Sequence, residues 1–273
     1  MRPTILVTND DGYNSYGIRV LAKMLRDIGN TIVVCPDRPR SASGFSLTLQ
    51  DPIRVKSKIF DDIRYYLVSG TPGDCVALGF FHLLDKRPDL VVSGINIGEN
   101  VSLLEFFMSG TLAGAIAASL YGVPAIALSK VVPDKDVMIV EEVRDDMDLA
   151  AKISKELIEY LIDRGFPEDA DIISINFPAR ITKDTQIRFT KIARLSLSVK
   201  IYERDDPRGT PYYWIWGEKF GNFPELTDAK ETLINGNISI TPIRLEDISI
   251  YSPKFKAWEK DINDIVRRVL DGR

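Results

Sequence analysis

Two adjacent aspartates follow the first apolar segment of the chain. Residues 5–12 read Ile-Leu-Val-Thr-Asn-Asp-Asp-Gly, so a run with the character of a buried strand ends in Asp10 and Asp11. Open α/β sheets bind their ligands at the carboxyl ends of such parallel strands. Two like charges this close repel each other unless a shared proton or a cation, such as a divalent metal, compensates them. The pair therefore predicts a metal site, with an Asx turn before the next helix as the simpler alternative.

Polar segments of similar character follow the other predicted strands. They are residues 36–44 (PDRPRSASG), 69–74 (SGTPGD) and 93–100 (SGINIGEN), with a further SGT at 109–111 that begins a helix. Because parallel strands end at one edge of a sheet, we expect these segments, including both SGT sequences, beside the aspartates. Hydroxyls and free N–H groups at a helix start bind anions, whereas Asp74 is expected to order the first turn of its own helix. Carboxylate, amide and hydroxyl oxygens favour Mg²⁺ or Mn²⁺ over zinc or copper.

The composition excludes several other classes of chemistry. A formal net charge of −4 offers no basic field for a nucleic-acid polymer or an anionic membrane. His82 is the only histidine, which argues against a histidine zinc site or a Ser-His-Asp triad. The only cysteines are Cys35 and Cys75, and the spacing from Cys35 to Arg40 is one residue shorter than a cysteine phosphatase needs. We expect Cys35 to be a buried residue at the end of a strand.

Apolar periodicity predicts an α/β fold built on a mostly parallel sheet with helices on both faces. Residues 17–28 have the three- and four-residue spacing of an amphipathic helix, and 72–84 and 111–121 are further helices. Residues 131–148 are acidic without clean periodicity, which indicates a surface connection before the next helix. Short buried strands alternate with these helices, which implies right-handed crossovers. The predicted strands after the first are residues 31–35, 65–68, 89–92, 124–128 and 171–175.

The pattern of polar and apolar residues changes after residue 178. Alternating polar and apolar residues near 187–191 and an aromatic run at 212–216 predict antiparallel hairpins, followed by a strand at 238–243 and a final helix. We therefore divide the chain into a catalytic core (1–180) and an extension (181–273) that forms one structural unit with it. The aromatic hairpin is too apolar to remain exposed on a monomer, so it predicts a protein partner. No apolar stretch reaches about 18 residues, which predicts a cytoplasmic protein without a membrane segment.

At this point the motifs resemble a known family, the SurE nucleotidases. The resemblance covers NDDG (9–12), PDRPRSASG (36–44), SGTPGDCV (69–76), PDLVVSGIN (88–96) with Asn100 following, and SGTLAGA (109–115). It is strongest over residues 5–129 and continues weakly through YYWIWG and ISITPI. The resemblance implies a Rossmann-like fold and metal-dependent removal of phosphate from nucleoside 5′-monophosphates, with 3′-nucleotides and polyphosphate as further substrates. It also implies a homodimer, or a tetramer of such dimers, with exchanged carboxyl-terminal elements.

The resemblance implies a role for individual residues of this chain. One Mg²⁺ or Mn²⁺ per subunit is bound by Asp10, Asp11, Ser41 and Asn96. The phosphate is bound by Asn9, Ser43, Gly44, Asn96, Asn100, Ser109, Gly110 and Thr111. The catalytic residues are Asp10, Asp11, Asn100 and Ser109. The chain departs from the family pattern between Asn100 and Ser109, because it has Ser102 where a glycine is usual and Met108 where tyrosine or histidine is usual.

The sequence leaves more than one mechanism open. The metal can orient a water for in-line attack on the phosphoryl group, or one of the aspartates can act as the nucleophile through an aspartyl-phosphate. A non-catalytic, metal-dependent nucleotide-binding module is the alternative from a different class. The first strand is not followed by G-x-G-x-x-G, which disfavours ordinary dinucleotide binding.

Overall fold

A mixed sheet forms the centre of the fold in the computed structural model, which describes residues 2–132, 141–220, 223–249 and 253–271. Within these ranges nine strands form one sheet in the order β3-β4-β2-β1-β5-β6-β7-β11-β8, and β9 and β10 form a separate two-stranded sheet. The strands are β1 (Thr4–Thr8), β2 (Asn30–Pro36), β3 (Val55–Phe60), β4 (Ile63–Val68), β5 (Leu90–Ile97), β6 (Ala125–Lys130), β7 (Ile172–Phe177), β8 (Ile187–Phe189), β9 (Ser196–Asp205), β10 (Pro211–Phe220) and β11 (Ile238–Ile243).

The six central strands of the large sheet are all parallel, which confirms the predicted fold class. Each pair from β4 through β2, β1, β5 and β6 to β7 is parallel. All residues of β1, β6 and β7 are buried, as continuous apolar runs in a parallel sheet require. The antiparallel neighbours lie at the two sides, where β3 pairs with β4 and β11 pairs with β7.

Helices cover both faces of this sheet. The helices that precede residue 244 are α1 (Tyr16–Leu25), α2 (Pro72–Leu78), α3 (Leu103–Met108), α4 (Gly110–Leu120) and α5 (Glu141–Arg164). A further helix, α6 (Pro253–Asp271), belongs to a separate compact unit of the chain. Ile5 and Val7 of β1 pack with buried residues of α1 and α5. The alternate residues of β1 point the other way, since Leu6 lies against Gly79 after α2 and Thr8 lies against Gly114 of α4.

Several elements differ from the predicted ones. The strand predicted at 89–92 continues to Ile97 with an irregular register between Ser93 and Asn96, so Asn96 lies on a strand rather than in a loop. The helix predicted to reach residue 28 ends at Leu25, and α2 ends at Leu78 in a π-helical turn, Gly79–Leu83. Part of the predicted connection 131–148 is helical, because α5 begins at Glu141, while residues 133–140 lie outside the described residues.

The segment after residue 178 contains one of the predicted hairpins. Strands β9 and β10 pair antiparallel, whereas β8 pairs in parallel with β11 and is not part of a hairpin. The chain divides into two compact units, Met1–Ile243 and Arg244–Arg273, and the second contains α6. The predicted boundary at residue 180 stays a prediction, as does the cytoplasmic location. None of the described helices combines the length and the apolarity needed to cross a lipid bilayer.

Candidate active site

The turn after β1 holds both aspartates at the carboxyl edge of the sheet. Asn9 and Asp10 are buried, and Asn9 Nδ2 donates a hydrogen bond to the Gly12 carbonyl at 3.0 Å, which closes the turn. Gly12 has φ +83° and passes so close to the backbone of Arg38 that a Cβ atom would lie 3.1 Å from its carbonyl carbon. The Arg40 N–H donates to the Asp10 carbonyl at 2.7 Å. The turn is therefore fixed against the segment that follows β2.

Asp11 reaches across the sheet edge to β5. Its Oδ2 accepts a hydrogen bond from the Ile97 N–H at 3.0 Å, next to Asn96. The Asn96 side chain is oriented by its own amide nitrogen, which donates to the Gly98 carbonyl at 2.8 Å. Because the nitrogen is turned toward Gly98, the amide oxygen is the atom that Asn96 presents to a ligand. The structure thus brings together Asp11 and Asn96, as the sequence predicts.

The start of α4 lies directly against Asp10. Thr111 Oγ1 donates a hydrogen bond to Asp10 Oδ1 at 2.6 Å, and a Cβ atom added at Gly110 would lie 2.5 Å from the Asp10 Cβ. Ser109 is the N-cap, since its Oγ accepts from the Leu112 N–H at 3.1 Å. The second SGT sequence therefore places the N-terminus of a helix beside a buried carboxylate, as expected.

The segment Arg40–Gly44, which we call the serine loop, closes the site from the side of β2. The Gly44 N–H donates to the Met108 carbonyl at 3.0 Å, just before α4 begins. Ser41 is exposed on this loop. Ser43 Oγ and Asn9 Oδ1 are buried, and neither has a hydrogen-bond partner among the described residues. A buried hydroxyl donor fits an anion oxygen and a buried carbonyl oxygen fits a cation or a water, so both atoms suit a metal-bound oxyanion.

The first SGT sequence stands at the start of α2. Thr71 caps α2, where its Oγ1 accepts from the Asp74 N–H at 3.2 Å and donates to the Ser46 carbonyl at 2.6 Å. Asp74 orders the first turn, as expected, because its Oδ2 accepts from the Thr71 N–H at 2.8 Å. The same carboxylate also accepts from the Thr48 hydroxyl at 2.6 Å. These contacts hold the chain just after the serine loop, and the expectation that both SGT sequences converge on the anion stays a prediction.

Asn100 is held by residues that the sequence analysis missed. Its N–H donates to Asn176 Oδ1 and its side-chain nitrogen donates to Ser129 Oγ, both at 2.8 Å. Ser129 and Asn176 lie near the carboxyl ends of the neighbouring strands β6 and β7, in register with each other. The only sequence signal for them is a polar side chain at the end of a buried strand. They fix the segment that connects β5 to α3.

Lys130 is a third residue that the sequence does not single out. Its side chain is buried at the end of β6, where Nζ donates to the carbonyls of Pro178 and Ala179 at 2.8 Å each and of Val131 at 3.3 Å. Its own carbonyl accepts from the Gly98 N–H at 2.8 Å. Burial lowers the pKa of Lys130 to about 8. The Lys130 amine therefore links the segment after β7 to the end of β6, where the Lys130 carbonyl binds Gly98.

The remaining reactive groups are unsuited to catalysis. Cys35 and Cys75 are buried, and desolvation raises the pKa of both thiols, which opposes formation of a thiolate nucleophile. His82 is exposed on the π-helical turn after α2. The described residues contain no group of three or more His, Cys, Asp or Glu side chains that could hold a metal ion. The candidate site is thus a mixed set of carboxylate, amide and hydroxyl oxygens.

The fold and the site together define a class, an α/β protein with an oxygen-donor site at the carboxyl edge of a Rossmann-like sheet. The chain belongs to the SurE family, because the family model described as "Survival protein SurE" matches residues 5–199. It is similar to the 5′-nucleotidase SurE of Methanosarcina mazei, with 39% identity over 249 residues that cover 90% of this chain and 93% of that protein. The 5′-nucleotidase SurE of Methanothrix thermoacetophila is 40% identical over 245 residues, which cover 89% and 92% of the two chains.

A solved structure extends this similarity to the fold. The crystal structure of the Sure protein from Aquifex aeolicus superimposes with a TM-score of 0.75 at 34% sequence identity and covers 96% of this chain and all (100%) of that one. The predicted family and fold class are therefore confirmed.

Proposed function

We propose that this protein is a metal-dependent phosphomonoesterase that hydrolyses nucleoside 5′-monophosphates. The observation that carries the proposal is the contact of Asp10 with the N-terminus of α4, where Thr111 donates to the carboxylate at 2.6 Å. A helix N-terminus attracts an anion, whereas the paired carboxylates repel one unless a cation lies between them. A phosphate bound through a metal satisfies both groups. The names of the relatives, 5′-nucleotidase SurE, support the substrate class.

The residues proposed to hold one divalent cation are Asp10, Asp11, Ser41 and Asn96. All four offer oxygen atoms, which favours Mg²⁺ or Mn²⁺. The contacts of Asp11 with the Ile97 N–H and of Asn96 with Gly98 support this set, because they orient two of the ligands from β1 and β5. The bound cation supplies Lewis-acid charge to the phosphoryl group and lowers the pKa of a coordinated water.

The protein groups proposed to bind the phosphate come from the serine loop, the start of α4 and the segment that connects β5 to α3. The hydroxyls of Ser43 and Ser109 and the N–H groups at the start of α4 donate to the phosphate oxygens. Thr111 contributes its backbone N–H, because its single hydroxyl proton is already donated to Asp10. Asn100 uses one amide proton for Ser129 and retains a second for the ligand. Asn9, Gly44, Asn96 and Gly110 complete the proposed set.

We propose that a water molecule, rather than an aspartate, attacks the phosphoryl group. Asp10 and Asp11 are each held by a hydrogen bond from a neighbouring element, which suits fixed ligands better than a nucleophile that must move toward phosphorus. The Ser109 and Ser43 donors stabilise the charge that develops on the equatorial oxygens. Radioactive phosphate that remains on the acid-quenched protein after turnover of labelled AMP would contradict this route.

The experiment that tests the function is phosphate release from AMP under metal control. Activity should be absent in excess chelator and return with Mg²⁺ or Mn²⁺. Asp10→Asn should lower kcat/KM by about 100-fold or more, since it removes charge from the ligand set without changing its shape. Hydrolysis that survives complete metal removal would refute the proposal. Metal-dependent binding of AMP without phosphate release would favour the alternative, a nucleotide-binding module.

We also propose that the protein is a homodimer, or a tetramer of such dimers, with carboxyl-terminal elements exchanged between subunits. The ribbon formed by β9 and β10 supports an oligomer, because its apolar side chains are exposed. Ile201, Trp214 and Ile215 are 65%, 66% and 74% exposed. Exposed apolar surface of this kind is typical of a protein interface.

A further inference from the structure

Three large apolar side chains lie next to the proposed phosphate-binding residues and are exposed. Phe45 directly follows Gly44, and Phe107 and Met108 directly precede Ser109. Their exposed fractions are 45%, 56% and 44%. Side chains of these types are usually buried, so a group of them beside a polar site indicates a binding surface.

The two segments that carry these side chains are joined to each other. The Gly44 N–H donates to the Met108 carbonyl at 3.0 Å. Gly44 also has φ +55°, and a Cβ atom there would lie 2.8 Å from the Phe107 carbonyl oxygen, so only glycine allows this approach. The serine loop and the end of α3 are therefore in direct contact. This contact keeps Phe45 near the pair Phe107 and Met108.

The ring of Phe107 packs against the ring of a buried neighbour. Phe106 is only 4% exposed, and the two rings meet edge to face with centroids 5.1 Å apart and planes at 83°. The short helix α3 is itself held, because Glu105 Oε2 accepts from the Val101 N–H at 2.8 Å. Phe107 is thus a positioned ring that is more than half exposed, and an exposed ring of this kind can stack on a planar group.

We propose that Phe45, Phe107 and Met108 form the subsite for the nucleobase and determine the substrate specificity of this chain, an inference that rests on the function proposed above. The same two segments supply the proposed phosphate ligands Ser43, Gly44 and Ser109. A planar base that is separated from the phosphate by one ribose reaches the adjacent apolar side chains.

The chemistry of the subsite predicts which nucleotides it prefers. Phenyl and thioether groups stack on a base but carry no donor or acceptor that reads its edge. Purine and pyrimidine monophosphates are both accepted, and purines bind more tightly because they offer more stacking area. A second copy of this chain is a poorer occupant of the same surface. It would have to desolvate the polar phosphate-binding residues without replacing their hydrogen bonds.

The test compares substrates with and without a base in matched variants. Rates of phosphate release are measured with AMP, CMP and glycerol 3-phosphate in Mg²⁺ for the wild type, Phe107→Ala, Phe45→Ala and Met108→Ala. Phe81→Ala is the control, because Phe81 is an exposed ring (70%) on the π-helical turn after α2. Phe107→Ala should raise KM for AMP by about 5–20-fold, leave KM for glycerol 3-phosphate unchanged and leave kcat for both unchanged. Phe107→Trp should restore the wild-type KM for AMP.

The other outcomes overturn the inference or separate it from the proposed function. Equal increases in KM for AMP and glycerol 3-phosphate would mean that these residues only position the phosphate site, and no change with AMP would mean that the base binds elsewhere. A changed oligomeric state with an unchanged KM for AMP would assign the patch to a subunit contact. Calorimetry with a non-hydrolysable phosphonate analogue of AMP covers the case in which the wild type releases no phosphate. If the analogue then binds the wild type more tightly than Phe107→Ala, the base subsite is supported although the nucleotidase activity is refuted.

Discussion

At the scale of single residues, Asp10 depends on its contacts with two segments, the serine loop and the start of α4. The Arg40 N–H of the serine loop donates to the Asp10 carbonyl, and Thr111 of α4 donates to its carboxylate. At Gly110, a Cβ atom would clash with the Asp10 side chain. Such supporting hydrogen bonds fix the orientation of a metal ligand and its basicity. The sequence shows the aspartates, because their types and their place after a strand are local features, but it does not show which hydroxyl holds them.

This arrangement predicts the effect of removing one hydroxyl. Thr111→Val keeps the shape of the side chain and removes the donor to Asp10, so the affinity for Mn²⁺ should fall by about 10–100-fold. The measurement is calorimetric titration with Mn²⁺ alone, together with AMP hydrolysis. Thr111→Ser, which keeps the hydroxyl, is the matched control and should bind Mn²⁺ like the wild type. Equal losses in the two variants would show that packing, and not the hydrogen bond, matters at this position.

At the scale of elements, the local strands could be predicted and their partners could not. The runs around 5–8 and 125–128 are apolar and fully buried, so periodicity alone identifies them. The edge strand β3 is largely exposed and has no apolar run, and α3 has six residues, too few to show a helical period. The parallel pairing of β8 with β11 joins distant segments, and so do the contacts of Asn100 with Ser129 and Asn176. These depend on register across the sheet, which a single sequence does not reveal.

Lys130 allows a prediction about the end of β6. Its pKa is about 8 in the folded chain and 10.5 ordinarily, so between these pH values the unfolded chain holds a proton that the folded chain has lost. This difference makes folding more favourable as pH rises from 8 to 10.5. Lys130→Met removes the titration and leaves buried carbonyls unpaired, at a cost of about 1–3 kcal/mol each. The deficit of the variant in unfolding free energy should therefore grow across this pH range.

The measurement for this prediction is urea unfolding of both proteins at several pH values between 7 and 11. Lys23→Met is the matched control, because Lys23 is exposed on α1. This variant removes an exposed amine and gives the reference with which the deficit of Lys130→Met is compared at each pH. A constant difference for Lys130→Met would show that the amine keeps its ordinary pKa in the folded protein.

At the scale of the whole molecule, the apolar surface of the β9–β10 ribbon predicts self-association. Light scattering at micromolar concentration should give at least the mass of a dimer for the wild type. Replacing Trp214 and Ile215 together by serine should lower the mass, because these two have the highest exposed fractions among the described apolar side chains of the ribbon. Phe81→Ser serves as the control, since it removes an exposed ring outside the ribbon. A monomeric wild type would contradict the prediction.

The hydrogen bonds that hold the two aspartates also constrain how the protein acquires activity during synthesis. Asp10 is bound by a residue 101 positions later in the chain, and Asp11 by one 86 positions later. A ribosome must therefore deliver the chain beyond Ile97 before Asp11 can make its hydrogen bond, and beyond Thr111 before Asp10 can. Truncated products that end before Thr111 contain both acids and lack the hydroxyl that holds Asp10, so we expect them to hydrolyse no nucleotide.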